Sequence, residues 1–148
     1  MAADRFFELR LMMEEAFSDD NLDLARELAI EYLEIASSRK ENWNYGNALH
    51  HSNLILGRIA LKNEDLITAK KHLIIAGATP GSPQLNSFGP NMRLAKELLE
   101  KGEKETVIQY INMTKRFWWW IFSLYKTMKW KRQINKGMIP DFGGNLVY

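Results

Sequence analysis

Cysteine is absent from the 148 residues of the sequence, and this absence excludes disulfide bonds, thiolate metal sites and catalysis by a thiol. A chain without cysteine is compatible with a reducing compartment, so we expect a cytoplasmic protein. Residues 1–17 mix acidic and basic side chains among the apolar ones and lack the continuous apolar centre of a secretion signal. Neither an oxidising compartment nor export is therefore indicated.

Long apolar runs are absent as well. The longest, FWWWIF at 117–122, has six residues, whereas a helix that spans a bilayer needs about 20. No membrane-spanning segment is therefore predicted. The fractions of 46% hydrophobic and 26% charged residues are typical of a globular protein. We predict a single domain over residues 1–135 and a C-terminal tail, 136–148, that packs on it or is flexible.

Acidic residues are missing from one part of the chain, since no Asp or Glu occurs between Thr106 and Pro140. Residues 106–148 carry seven Lys and Arg against the single Asp141, while the first 105 residues carry 13 basic and 17 acidic side chains. The net charge of +2 therefore conceals a basic C-terminal segment, which also contains four of the five tryptophans.

Apolar residues recur at three- and four-residue spacing through most of the sequence, and no strand-like alternation competes with this pattern. Polar breaks at 19–21 and 62–64 separate the periodic segments, and the first of them supplies helix-capping side chains. The sequence predicts six helices, at about 3–18, 21–38, 42–61, 65–76, 90–102 and from 103 into the 130s. Three successive helix–turn–helix units predict three antiparallel hairpins packed side by side.

The middle hairpin carries a family resemblance. Its sequence, NLILGRIALKNEDLITAKKHLIIAGATP at 53–80, resembles a tetratricopeptide repeat. The spacing of that repeat is kept by Leu56, Gly57, Ala60, Ala69 and Leu73. The small residues Gly57 and Ala69 suit a close approach of two helices. The resemblance implies an all-α fold of three stacked antiparallel hairpins, a TPR-like α-α superhelix, with a long Trp-rich C-terminal helix and a short irregular tail. An irregular six-helix bundle is the alternative.

The resemblance also implies a function. In tetratricopeptide proteins the first helix of each pair lines a concave groove that binds peptides. The register of Gly57 implies that His51 and Arg58 face this groove, with Lys62 at its end. We therefore expect a non-enzymatic module that binds a protein or peptide. One family variant grips a carboxylate with Asn at the position after the glycine, and Arg58 at that position does not support this variant.

Residues 79–91, TPGSPQLNSFGPN, form a long connection with three prolines and two glycines. Long ordered loops are often functional, and proline makes an irregular segment rigid. We expect Leu85 and Phe88 to fasten the loop to the helices, so that polar side chains offer an edge to a peptide. These side chains are Gln84, Asn86, Ser87 and Asn91. The alternative is a structural crossover that redirects the third hairpin.

No arrangement of residues indicates an enzyme. The PDFGGN segment at 140–145 contains the Asp-Phe-Gly triplet of protein kinases, but the chain has no glycine-rich phosphate loop and no His-Arg-Asp catalytic loop. The adjacent His50 and His51 lack the i, i+4 spacing of a metal pair, and we assign them and His72 to surface or interhelix polar contacts. We therefore predict no catalytic residues, no cofactor and no metal.

The RFWWWIFSLY segment at 116–125 lies in the last predicted helix. At 100° per residue, one face of that helix collects apolar residues suited to a core. They are Phe117, Ile121, Leu124, Tyr125 and Met128. Trp119 points to the opposite side, in line with Trp130 eleven residues later, and Lys126 lies between the two. The sequence therefore predicts a buried stripe and an outer line of Trp119, Lys126 and Trp130.

Three interpretations of this outer line stay open. In the first, residues 137–148 fold back so that Phe142 or Tyr148 covers the indoles. In the second, a protein partner or a second copy of the chain binds the line, because Trp beside Lys suits protein interfaces. The third is contact with an anionic membrane surface, which is the less favoured partner. Nucleic acid is not expected, since the first 105 residues are acidic and no nucleic-acid-binding module is recognisable.

Overall fold

The computed structural model describes residues 3–148, which form eight α-helices and one 3-10 helix without any β-strand. The α-helices are α1 Arg5–Ser18, α2 Leu22–Ser37, α3 Tyr45–Lys62, α4 Leu66–Gly77, α5 Pro83–Phe88, α6 Arg93–Glu100, α7 Lys104–Thr114 and α8 Ile121–Asn135, and the 3-10 helix is Gly143–Leu146. The predicted all-α class is confirmed. The first four predicted helices are also confirmed, with ends that differ by at most three residues.

Short polar side chains cap four of these helices. Asp4 and Asn21 accept hydrogen bonds from main-chain N–H groups in the first turns of α1 and α2. Asp65 does the same for α4, and Ser82 for α5. Each cap satisfies an N–H group that the first helical turn leaves without a partner, and this explains why the helices begin at these points.

Helices that follow each other in the chain pack as pairs: α1 with α2, α3 with α4, and α6 with α7. A Cβ atom at Gly57 of α3 would lie 3.1 Å from the Cβ atom of His72 and 3.3 Å from the carbonyl oxygen of Ala69, both on α4. The same Cβ atom would overlap Leu94 of α6. Gly57 therefore permits the close approach of α3 and α4 that the sequence predicts, and it also admits α6.

The sixth predicted helix is wrong as a continuous element, because residues 115–120 interrupt it and divide it into α7 and α8. Phe117 and Trp118 are buried in this interruption. A Cβ atom at Gly81 would lie 2.7 Å from the Phe117 Cβ atom, and one at Gly89 would lie 2.5 Å from the Trp118 ring. The burial of two aromatic rings against glycine backbone therefore outweighs the helical periodicity of this segment.

Residues 79–91 include the short helix α5, and α6 begins at Arg93, three residues later than predicted. Leu85 is buried as expected. Phe88 is exposed, contrary to prediction, and lies beside Tyr148 with 5.2 Å between ring centroids. The glycines of this segment receive the rings of Phe117 and Trp118, which agrees with the structural-crossover interpretation.

The C-terminal tail packs on the helices. The buried ring of Phe142 lies edge-on to Trp130, with 5.1 Å between centroids. The side-chain amide of Asn145 donates hydrogen bonds to the carbonyl oxygens of Phe88 and Pro90, at 3.1 and 2.9 Å. The tail therefore covers Trp130 and is fastened to the connection between α5 and α6.

Candidate functional site

A cavity of about 150 Å³ opens between α1, α3 and the residues that lead into α6. Its polar lining comes from three separate parts of the chain. The polar residues are Glu14, Ser18, His51, Arg58, Asn91 and Arg93. We call this space the α3 cavity. It brings together His51, Arg58 and Asn91, three of the residues that the sequence predicts for partner binding.

His51 is buried, with 4% of its surface exposed, and its ring lies edge-on to that of His50 with 5.0 Å between centroids. Burial lowers the pKa of His51 well below its usual range, and nearby His50 and Arg10 lower it further. The imidazole is therefore neutral near pH 7 and carries one donor and one acceptor nitrogen. Neither nitrogen forms a hydrogen bond with the described part of the chain.

Arg58 connects three helices at the cavity wall. Its Nε atom donates to the carboxylate of Glu97 on α6 at 2.5 Å, and its guanidinium lies 4.4 Å from the centroid of the Phe17 ring on α1. The ion pair is half-buried, so the guanidinium has a fixed position. Its remaining N–H groups can donate to a ligand, because a guanidinium carries five N–H donors in all.

Arg93 is a cavity residue that the sequence analysis missed. Its Nε atom donates to the carbonyl oxygen of Leu146 in the tail, and it forms no salt bridge with any described residue. The side-chain amide of Asn91 donates to the main-chain oxygen of Tyr148 at 2.5 Å. The rim of the cavity therefore holds main-chain oxygens of the chain's own C-terminal residues.

The other polar residues predicted for partner binding lie outside the α3 cavity. Lys62 is at the end of α3 and pairs with Asp20 at 2.8 Å. Gln84 accepts a hydrogen bond from an asparagine side chain of α3 at 3.1 Å. The main-chain oxygen of Asn86 accepts one from Nε1 of Trp120 at 3.2 Å. The chain's own residues thus already contact the loop edge that was predicted for a peptide.

The predicted line of Trp119, Lys126 and Trp130 does not exist. Trp130 is buried between the tail and Trp118, while Trp119 has 60% of its surface exposed. The prediction is wrong because residues 115–120 leave the helical register that would align the two indoles. Lys126 is exposed, and its Nζ atom lies 5.9 Å from the centroid of the Trp118 ring.

Six large apolar side chains are exposed together at the start of α8. They are Trp119, Trp120, Ile121, Phe122, Tyr125 and Met128, each more than half exposed. We call them the aromatic surface. Trp119 and Trp120 stack, with 5.1 Å between centroids and 10° between planes. Of the predicted core stripe only Phe117 is buried, whereas Ile121, Leu124, Tyr125 and Met128 face outward.

The apolar residues at the start of α8 face outward because the inward side of that part of the helix consists of small hydroxyl residues. Ser123 and Thr127 face the interior, followed on the same side by Trp130 and Ile134. Each hydroxyl donates to a carbonyl oxygen three residues earlier, at 2.6 and 3.0 Å respectively. These bonds satisfy the hydroxyl groups locally, so a stripe of small polar residues can pack against α7 without buried unpaired donors.

Among residues 3–148 no cluster of His, Asp and Glu side chains is arranged to hold a metal ion. None of the described helices combines the length and the apolar character needed to cross a bilayer. Comparisons with protein-family models, with curated proteins and with solved structures find no match.

Proposed function

We propose that the protein is a non-enzymatic interaction module of tetratricopeptide-like type, which binds a partner peptide with an acidic side chain in the α3 cavity. The observation that carries this proposal is the convergence of His51, Arg58, Asn91 and Arg93 on one cavity. Its volume of about 150 Å³ is below the usual range of roughly 300–1,000 Å³ for small-molecule sites. A single side chain suits this volume better than a cofactor does.

The contacts between helices support the three-hairpin arrangement. Helices α1, α3 and α6 are the first members of the three pairs, and α3 contacts both of the others. In a stack of hairpins these helices lie side by side and line one face. The α3 cavity is lined from α1, α3 and the start of α6, so a stack of three hairpins would present it on the face where the tetratricopeptide resemblance implies peptide binding.

Charge favours an acidic ligand. Glu14 pairs with Arg10 at 3.1 Å, and Arg58 pairs with Glu97, so these four charges balance. Arg93 adds a positive charge with no carboxylate partner among the described residues. A carboxylate in the cavity can accept charge-assisted hydrogen bonds from the guanidinium groups and one more from the neutral His51 ring.

The rim of the cavity offers main-chain recognition as well. Asn91 and Arg93 already donate to the main-chain oxygens of Tyr148 and Leu146. A partner peptide can use the same donors if it displaces these residues or lies beside them. The absence of cysteine agrees with a cytoplasmic location, which is part of the proposal.

A display library of short random peptides, selected on the immobilised protein, tests the proposal. We expect the enriched peptides to contain Asp or Glu. Their affinity, measured by fluorescence anisotropy, is expected to fall by about tenfold or more in Arg93→Gln, because a hydrogen bond to a charged group contributes roughly 1.5–3 kcal/mol. Arg26→Gln, at an exposed position of α2, is the matched control. Enriched peptides without acidic residues, or equal affinities for both variants, contradict the proposal.

A further inference from the structure

The aromatic surface at the start of α8 is a second candidate for binding. We propose that this surface docks on an anionic lipid bilayer, with its apolar side chains in the interfacial layer and the neighbouring basic side chains on the lipid headgroups. This inference is independent of the peptide proposal, because no residue of the aromatic surface lines the α3 cavity.

Helix α8 presents an apolar face to solvent. Ile121, Tyr125 and Met128 recur at four- and three-residue spacing, opposite the buried stripe of Ser123 and Thr127. Phe122, with 81% of its surface exposed, extends the apolar face on one side. Contiguous apolar surface of this kind marks an interaction site, and an interfacial helix carries such a face beside basic residues.

The rings of the two exposed tryptophans are already held in place in the unbound protein. Trp119 stacks on Trp120, and Nε1 of Trp120 donates to the main-chain oxygen of Asn86 at 3.2 Å. Their rings therefore lose little rotamer freedom when they bind. Tryptophan is enriched at membrane interfaces, because its amphipathic ring sits at the level of the headgroups.

Charge decides which partner fits the surface. The basic side chains of the C-terminal segment are Lys115, Arg116, Lys126, Lys129, Lys131, Arg132 and Lys136. None of them forms a salt bridge within residues 3–148. Lys126 and Lys129 line a groove together with Phe122 and Tyr125 of the aromatic surface, and Asp141 is the one acidic residue in that groove. Cations and exposed aromatic rings thus occupy the same side of α8.

An anionic bilayer satisfies both parts of this surface at once. Its interfacial layer accepts the apolar side chains, and each lysine or arginine near anionic headgroups strengthens binding by electrostatic attraction. The same surface of a second copy carries the same unpaired positive charge, so a symmetric contact between two copies through this surface is opposed by electrostatic repulsion. The bilayer is therefore favoured over a symmetric dimer of this kind.

Sedimentation with vesicles tests the inference. Vesicles of phosphatidylcholine alone are compared with vesicles that also contain phosphatidylserine, at low and at physiological salt. We expect binding to the anionic vesicles only, and weaker binding at the higher salt. Trp119→Ala combined with Phe122→Ala is expected to lower the partition coefficient by about tenfold or more. Lys126→Gln combined with Lys129→Gln is expected to have an effect of similar size.

Trp43→Ala combined with Ile67→Ala is the matched control, because it removes an exposed tryptophan and an exposed aliphatic residue outside the aromatic surface. All substituted side chains are at least half exposed or lie on the solvent side of α8, so we expect unchanged circular dichroism and unfolding temperature. Three outcomes of the sedimentation experiment overturn the inference. They are no binding to anionic vesicles at either salt concentration, equal binding to both kinds of vesicle, and equal loss in the control. A dimer in light scattering that the Trp119 and Phe122 substitutions abolish, without vesicle binding, overturns it in favour of a second copy.

Discussion

The Nε2 atom of His50 accepts a hydrogen bond from the main-chain N–H of Asn91 at 3.1 Å. Nδ1 of the same ring lies 3.0 Å from the carbonyl oxygen of Ala76 on α4 and donates to it, since Nε2 is the acceptor. The carbonyl oxygen of Asn91 in turn accepts from the Tyr110 hydroxyl at 2.7 Å. A buried histidine of α3 thus sets the position of the rim of the α3 cavity.

Acid is expected to weaken the fold through His50. Burial is the main reason that the pKa of His50 falls to about 4, compared with about 6.5 in an unfolded chain. The unfolded state therefore takes up the proton first, so full stability is present above about pH 6.5 and is lost progressively toward pH 4. The loss corresponds to about 3 kcal/mol, and buried His51 acts in the same direction. Urea unfolding at a series of pH values measures it.

His50→Gln separates this effect from general acid sensitivity. The variant cannot titrate at position 50, so we expect its stability to decline less steeply as the pH falls. It also lacks the imidazole that bonds to Asn91 and Ala76, so we expect lower stability than that of the native chain near neutral pH. An equally steep decline in both proteins means that other groups cause the acid sensitivity.

Gly89→Ala is expected to destabilise the fold more than Gly102→Ala. Both residues have positive φ, 86° and 83°, so alanine is strained at either position, and more so at Gly89, whose ψ of −174° lies in a region that essentially only glycine occupies. A Cβ atom at Gly89 would also meet the Trp118 ring, whereas one at Gly102 would meet no atom within 4 Å. The clash adds about 1–3 kcal/mol. Denaturant unfolding of both variants measures the difference, and equal losses refute a packing role for Gly89.

The same contact shows why sequence patterns predict only part of the fold. The first helices follow from local features, which are a 3.6-residue apolar period and the caps at Asp4, Asn21 and Asp65. The interruption between α7 and α8 depends on Phe117 and Trp118, which pack on Gly81 and Gly89, 36 and 29 residues earlier in the chain. A periodicity contains no information on such a contact, so it predicts a continuous helix.

The candidate site, like the fold, could be predicted from the sequence only in part. His51 and Arg58 are seven residues apart, which is close to two helical turns, so a shared face follows from spacing. Arg93 could not be placed, because the sequence resemblance that sets the register of Arg58 covers only residues 53–80. The outward face of α8 contradicts the rule that apolar stripes are buried, since Ser123 and Thr127 pack inward and Phe122 remains exposed.

Trp130→Ala and Trp119→Ala are expected to differ sharply in stability, although the sequence predicted equivalent positions for the two residues. Trp130 packs between Trp118 and Phe142, so its removal leaves a cavity and costs about 3–5 kcal/mol. Trp119 is mostly exposed, and its removal is expected to change stability by less than about 0.5 kcal/mol. Thermal unfolding of the two variants provides the comparison. Similar losses of stability in the two variants contradict the finding that Trp130 is buried and Trp119 is not.

Asn145→Ala is expected to release the C-terminal tail. The buried side-chain amide of Asn145 donates to the carbonyl oxygens of Phe88 and Pro90, and its main-chain oxygen accepts from the N–H of Met92 at 2.7 Å. Truncation leaves two carbonyl groups without their partner, but it also removes the buried Oδ1 atom of Asn145, which has no hydrogen-bond partner among the described residues, so the expected net cost is about 1–3 kcal/mol. Limited proteolysis is expected to remove the tail faster, and acrylamide is expected to quench Trp130 once Phe142 no longer covers it.

Asn135→Ala, at the exposed end of α8, is the control with an expected change in stability below about 0.5 kcal/mol. A cleavage rate equal to that of the control contradicts the role of Asn145 in holding the tail.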